Sequence, residues 1–309
     1  MSVFQQITQL LSGTGPQRVR FDEPMSQHTT FRIGGPADVF VSPSSTEEIR
    51  QIVTLCRDSA TPWTVVGKGS NILVSDLGIR GVVIEIADGF ATFNLAQAPD
   101  GGIMMDAMAG ARLSALAAAA ARHRATGLEF ASGIPGTLGG AILMNAGAYD
   151  GCMKDIVCET DSLTAQGQLE HRRGEEQQFT YRHSVYSETD DIIISARIRL
   201  RAGNYDQIVS RMADLSERRR SSQPLELPSA GSAFKRPPGY YAGKLIADAG
   251  LQGFQIGGAQ VSTKHAGFIV NLGFATARDV ADLIDTVKEQ VFRMSGVIMQ
   301  PEIKKIGEW

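Results

Sequence analysis

The 309-residue sequence is short of the features that mark several protein classes. It has three cysteines, Cys56, Cys152 and Cys158. An odd number with no C-x-x-C pair argues against a disulfide framework and against a cysteine zinc site, so all three are expected to be reduced thiols. The five histidines, at 28, 123, 171, 183 and 265, show no H-E-x-x-H or other paired spacing; no metal site is expected. The formal net charge is only -3, with 20% charged residues, so nothing in the balance calls for nucleic acid or another polyanion. The longest apolar stretch, Leu113 to Ala121, is mostly alanine and runs at once into Arg122, His123 and Arg124, too short to span a bilayer. Gln5, Gln6 and Thr8 stand where a secretory leader would be apolar. These absences leave an ordinary globular chain, expected in the cytoplasm and without membrane contact; a monomer is expected, although the sequence itself does not give the oligomeric state. No internal repeat is visible, and the length suggests two or three domains.

Nucleotide signatures of the familiar kinds are missing too. No G-x-x-x-x-G-K-[ST] string and no G-x-G-x-x-G following a strand occurs. In their place stand two other glycine-rich stretches. Gly67, Lys68, Gly69, Ser70 and Asn71 follow a strand expected at Trp63 to Val66. They offer closely spaced N–H groups and a hydroxyl suited to a phosphate, although such a string is often only a turn. Ser132 to Ala141 holds four glycines in ten residues, Gly133, Gly136, Gly139 and Gly140, around Ile134 and Pro135, with Asn145-Ala146-Gly147 just beyond. A loop that needed positive φ would use one or two glycines. Four point to close backbone approach by a ligand.

Periodicity places further elements. Ser45 to Glu48 reads as a capping signature opening a helix to about Ser59, and Gly81 to Ile86 and Met104 to Met108 read as strands. A helix is expected from Leu113 to Arg124, stopped by Gly127, with a glycine-dense loop over Ser132 to Gly140 and a long strand over Asp191 to Leu200. Texture changes near Gly203. Beyond it come a helix closing in Arg218-Arg219-Arg220, a Pro- and Ser-rich stretch over Ser221 to Pro238, a short helix ending at Gly250, and a strand at Phe268 to Val270. A last helix opens at Thr276 with Asp279 three residues on, and the tail Met299 to Ile306 alternates like a strand. Taken singly, Gly231-Ser232-Ala233-Phe234-Lys235, Tyr181-Arg182-His183-Ser184 and Pro301-Glu302-Ile303-Lys304 are no more than a turn and solvated strand ends.

Taken in order they carry more. Thr29-Thr30-Phe31-Arg32-Ile33-Gly34-Gly35, Val66 to Asn71, Ser132 to Gly140, Tyr181 to Ser184, Ala230 to Lys235 and Gln300 to Gly307 together closely resemble the UDP-N-acetylenolpyruvoylglucosamine reductases over nearly the whole chain from about Thr29. The resemblance implies an α+β protein. A two-lobed FAD-binding domain of the vanillyl-alcohol-oxidase type would occupy residues 1–203. An α+β substrate-binding domain would follow over 204–309, with a tail that returns to the flavin site and can be removed without losing the flavin. It implies non-covalent FAD held by the two glycine stretches, NADPH as co-substrate and the enolpyruvyl ether of UDP-N-acetylglucosamine as substrate. Arg182 and Glu302 would act on charge developing at the enol carboxylate and Ser232 would give the proton, with Lys235, Arg236 and His265 near the substrate. The stretch from Gln223 to Ser232 looks like the shorter subgroup, which lacks an inserted tyrosine-bearing loop. Two positions depart from the family pattern: Arg236 where asparagine is frequent, and Gln300 where an acid is frequent. An oxidase of the same flavin superfamily, or a flavin-binding module without turnover, are the rival readings, and the joint presence of Arg182, Ser232 and Glu302 weighs against both.

Overall fold

The computed structural model describes residues 1–13 and 17–309. The chain forms two compact units with mixed helix and strand, the α+β class expected. Unit 1 comprises Met1–Arg20, Val39–Lys68 and Gly81–Arg219; unit 2 comprises Phe21–Asp38, Gly69–Arg80 and Arg220–Trp309.

In unit 1 the helix Thr46–Asp58 begins as its sequence requires, with the Ser45 hydroxyl accepting from the Glu48 N–H at 3.2 Å, and it buries Ile49, Ile52, Val53 and Cys56. Strand Trp63–Val66 follows, parallel to Ile79–Glu85 in the register Trp63↔Val82 to Val66↔Glu85. A second, antiparallel sheet runs in the order Leu169–Arg173, Val157–Leu163, Ile192–Ala202, Ile103–Met108, Phe93–Gln97. Along Ile192–Ala202 the side chains of Ile194, Ala196, Ile198 and Leu200 are buried and those of Arg197 and Arg199 are exposed, the period-two pattern of a strand with one wet face. The short helix Leu138–Leu143 packs on Ile192–Ala202 and Ile103–Met108.

Unit 2 centres on the antiparallel strands Ser229–Ser232, Phe268–Asn271, Ala259–Val261 and Gln255–Ile256. Helix Ala277–Ser295 buries Val280, Leu283, Ile284, Val287 and Val291 in the core of this unit. It opens in the capping box read from Thr276 and Asp279 and closes at Gly296, whose left-handed φ of 70° favours glycine. Phe31, Ile33 and Leu73, from the two early excursions of the chain, join the same core.

Three details differ from the sequence reading. Helix Leu113–Arg122 stops before Arg124, whose φ of 54° is left-handed, and His123 already serves as its cap. The glycine-dense loop ends earlier than expected, because the N–H of Leu138 donates to Ala111 O and that of Gly139 to Ala109 O, which starts a helix at Leu138. The change of texture at Gly203 is not where the compact units part. Helix Tyr205–Ser222 continues unit 1 to Arg219, with Met212 packed on that unit's core, and residues 21–38 and 69–80 belong with the C-terminal region.

Candidate active site

Strand Trp63–Val66 delivers the chain to Gly67, and a β-carbon at Gly67 would collide with the Thr137 hydroxyl. Thr137 is buried, so the two glycine-rich stretches meet here backbone to side chain, and only glycine fits at 67. The second stretch lies along residues 109–113: besides the two bonds above, Leu113 N–H donates to Gly136 O at 3.2 Å, and Arg112 and Thr137 form an isolated bridge. Gly139 stands against the Ala109 methyl group. Gly136 has φ 154°.

The motif around Arg182 is tied to the end of this stretch. Asn145, buried and left-handed at φ 41°, donates from its amide to Thr180 O at 2.8 Å and accepts from Lys154 N–H at 2.9 Å. Thr180 and His183 exchange backbone hydrogen bonds at 3.1 and 3.2 Å, which throws Tyr181 and Arg182 out as a tight turn with Arg182 at φ 56°. A non-glycine residue in that conformation costs on the order of 1 kcal/mol and persists only where surroundings impose it. Its guanidinium donates to Gly147 O at 3.2 Å and lies over the Tyr181 ring, 5.2 Å from the centroid. Ser184, fully buried, donates to Leu143 O at 2.8 Å and fixes the other flank of the turn. Arg182, Gly67, Lys68 and the 133–140 stretch all lie in unit 1.

Gly69, Ser70, Asn71, Ser232, Lys235, Arg236, His265 and Glu302 lie in unit 2. Gly69 has φ 62°, its O accepts from Thr30 N–H at 3.1 Å, and any β-carbon there would run into the backbone of His28. Asn71 is clasped by the tail: its amide donates to Glu302 O at 3.3 Å, and its own O accepts from Lys304 N–H at 3.0 Å. Strand Lys304–Ile306 then runs parallel to Ile72–Val74. The same tail residue reaches the serine segment, for Glu302 N–H donates to Ala233 O at 2.9 Å, Phe234 bridges Pro301, and Lys235 N–H donates to Gln300 O at 2.8 Å. Glu302 and Ser232, 70 positions apart in sequence, are thus one residue and one backbone hydrogen bond from each other.

Ser232 is exposed, and its hydroxyl makes no hydrogen bond among the described residues. Its strand pairs Ser232 with Phe268, and Ala233 N–H donates to Gly267 O at 2.8 Å. His265 braces that neighbour: Nδ1 accepts from Gly267 N–H at 3.1 Å and the ring meets Phe268 edge-on at 5.0 Å. Burial holds the imidazole below its ordinary pKa, and the accepting Nδ1 puts the proton of the neutral ring on Nε2. Arg236 donates from Nε to Tyr240 O at 3.2 Å and stacks on the exposed Tyr241 ring, 4.0 Å from its centroid.

Sequence reasoning missed Thr137, Ser184 and Asp76. The first two are buried hydroxyls beside the glycine stretches, and the third caps the helix Ala277–Ser295 from far along the chain. No helix among the described residues is long and apolar enough to cross a membrane.

Comparison with known proteins gives these two units a lineage. Residues 37–172 match the FAD binding domain model, and residues 223–306 match the C-terminal domain of UDP-N-acetylenolpyruvoylglucosamine reductase. The reductase of that name from Clostridioides difficile is 47% identical over 299 residues, 97% of either chain. Its counterpart from Agathobacter rectalis is 50% identical over 295 residues, 93% of this chain and 94% of that protein. The crystal structure of the reductase from Thermus caldophilus superposes with a TM-score of 0.79 at 35% identity, covering 91% of this chain and 97% of that one. Similarity at this level and over this length leaves one assignment: the chain belongs to the UDP-N-acetylenolpyruvoylglucosamine reductase family.

Proposed function

We propose that the protein reduces the enolpyruvyl ether of UDP-N-acetylglucosamine to UDP-N-acetylmuramate with NADPH, a step in making peptidoglycan precursors. The observation that carries the reading is the junction at which Glu302 N–H donates to Ala233 O, since it joins the proposed proton donor Ser232 to the proposed acidic partner. The residues fit FAD. Glycine at 67 makes room for the Thr137 hydroxyl and glycine at 69 for the His28 carbonyl, and the stretch from Gly67 to Asn71 keeps the closely spaced backbone N–H groups that a flavin pyrophosphate needs. FAD, when bound, carries hydride from NADPH to the methylene carbon of the enolpyruvyl group.

The protein's own residues do the remainder. Addition of hydride to one alkene carbon leaves an electron pair at the carbon bearing the carboxylate, and a proton must arrive there. Ser232 gives that proton from an exposed hydroxyl with no competing acceptor. Arg182 is held in its turn as a fixed cation for the enolate charge, and Glu302 is assigned to the same charge. Lys235, Arg236 and His265 are assigned to the substrate side. The flavin is bound without a covalent link, since neither glycine stretch contains His or Cys, and acid denaturation should release all the colour as FAD. A cytoplasmic monomer is part of the same proposal, and sedimentation analysis tests the oligomeric state.

Stopped-flow kinetics test the central assignment. Flavin reduction by NADPH needs no acid, so Ser232→Ala should reduce its flavin at near-normal rate while turnover falls at least ~10²-fold, the range for a positioned general acid. Ser232→Cys should keep part of the turnover. Equal slowing of both half-reactions would place Ser232 in support of the cofactor site and overturn its role as acid.

A further inference from the structure

Arg219 is a half-buried cation that the chemistry above leaves unused. It stands in the last turns of helix Tyr205–Ser222, where its neighbours behave as surface arginines do: Arg211 and Arg218 both pair with Asp214 at 3.1 Å. Arg219 turns inward instead. Its side chain lies against Gly133, with Cδ at 3.2 Å and Nη1 at 3.3 Å from where a β-carbon of residue 133 would stand. Among the described residues its guanidinium makes no hydrogen bond and no ion pair. Burial pushes it below the ordinary arginine value, and the neighbour opposing that push is Tyr149, a phenol and not a carboxylate. Tyr149 is itself fastened to the same helix, its hydroxyl donating to Leu215 O at 3.2 Å.

A partly desolvated cation with no counter-charge is destabilising, and a fold that retains one gains by it where an anion completes the site. Here the cation lies on a stretch opened by glycines, within the residues that match an FAD binding domain along their greater part. We propose that Arg219 is the cation that binds the pyrophosphate of FAD over the Gly133–Gly140 stretch. Gly133 then has a role apart from ligand approach, since its missing side chain is the seat of the arginine stem. The inference rests on FAD as the resident cofactor, and colour with saturable FAD uptake by the unaltered protein establishes that separately.

The test compares full-length unaltered protein, Arg219→Met and Arg219→Lys in three measurements: FAD dissociation constant after deflavination, midpoint potential of the bound flavin, and melting temperature without FAD. Arg219→Met should weaken FAD binding ~10–100-fold, the range for a lost charge-assisted hydrogen bond. It should leave the potential unchanged, because the pyrophosphate carries the same charge in both redox states, and it should not lower the FAD-free melting temperature. Arg219→Lys should recover part of the affinity. Gly133→Ala, which crowds the arginine stem, should reproduce part of the loss. Unchanged affinity in Arg219→Met would overturn the proposal. So would a shifted potential with unchanged affinity, which would put the guanidinium at the flavin ring, or a raised KM for the UDP-sugar with unchanged affinity, which would put it at the substrate. A lower melting temperature without FAD would assign Arg219 to packing and overturn it equally.

Discussion

Gly67 to Asn71 and Ser132 to Gly140 are both glycine-rich and both follow secondary structure, yet they are held by opposite means. The second stretch is fastened to residues 109–113, 23 to 30 positions upstream, through Gly136 O, Leu138 N–H and Gly139 N–H. The end of the first is fastened across almost the whole chain: Gly69 to Thr30, and Asn71 to Glu302 and Lys304. Local fastening makes a stretch nearly self-sufficient, whereas distant fastening makes it depend on closing long loops, whose entropy must be offset by every contact at the junction. The comparison predicts that damage to the distant fastening spreads further than damage to the local one.

Removing residues 301–309 should have the largest effect. The deletion takes away the buried Ile303, the parallel strand beside Ile72–Val74 and both bonds to Asn71. The sequence reading made the tail separable from flavin binding; the structure ties it directly behind the first glycine stretch. We expect the truncated protein to lose both turnover and flavin, with unit 2 melting early, as read by retained absorbance near 450 nm after gel filtration and by thermal unfolding. A truncated protein that keeps stoichiometric FAD would show that this junction is dispensable.

Alanine at the two early glycines should separate the fastenings next. At Gly69 a β-carbon meets the His28 backbone and the residue must keep φ 62°, so Gly69→Ala should cost at least ~2–3 kcal/mol with no single-site rescue. At Gly67 the obstacle is one side-chain oxygen, that of Thr137. Gly67→Ala should cost less, and Thr137→Ala in the same chain should restore most of it. Chemical denaturation of the four variants checks both statements. Rescue at 69, or none at 67, would contradict the distinction.

Helix Ala277–Ser295 repeats the contrast in miniature. Thr276 and Asp279 form a box within four residues, but the N–H groups of Ala277 and Arg278 are taken by Asp76, at 2.8 and 3.0 Å, from two hundred positions earlier. Removing Asp76 deprives two helix donors of a charged acceptor, and removing Thr276 deprives one donor of a hydroxyl. Asp76→Ala should therefore destabilise by ~2 kcal/mol and Thr276→Ala by ~1 kcal/mol. Equal losses would mean that distance along the chain is irrelevant at this helix.

These contrasts also mark what could be read from the sequence. The Thr276 box, the Ser45 cap and the alternation over Ile192–Ala202 were legible because their signals lie within a few residues. The order of the motifs singled out Arg182, Ser232 and Glu302 as a proposed set, but the bond from Glu302 N–H to Ala233 O depends on a pairing 69 residues apart that no local pattern encodes. Asp76 carries no local signal and Thr137 is only one more residue of the Ser132 to Ala141 stretch, because their partners are set by tertiary contact. The boundary expected at Gly203 followed a real change of texture, but texture reports local composition. It could not show that residues 21–38 and 69–80 take their place in the core of the C-terminal region.

The smallest expected effect belongs to a local contact beside the serine. His265 accepts from Gly267 N–H two residues on, and burial lowers its pKa. The folded state therefore resists protonation more than the unfolded chain does. Its contribution to stability is fully present above the unfolded histidine value, about 6.5, and is lost as pH falls from there through the depressed folded value. Asparagine can accept the same bond but does not titrate. Between pH 7.5 and 5.5 the unaltered protein should lose more stability than His265→Asn, with the two close together at pH 7.5. Denaturant midpoints at several pH values read the difference. Parallel curves would show that protonation of His265 is not coupled to folding, and an Asn variant already unstable at pH 7.5 would show that the ring's contact with Phe268, and not the Nδ1 bond, secures the Gly267 neighbour of the serine strand.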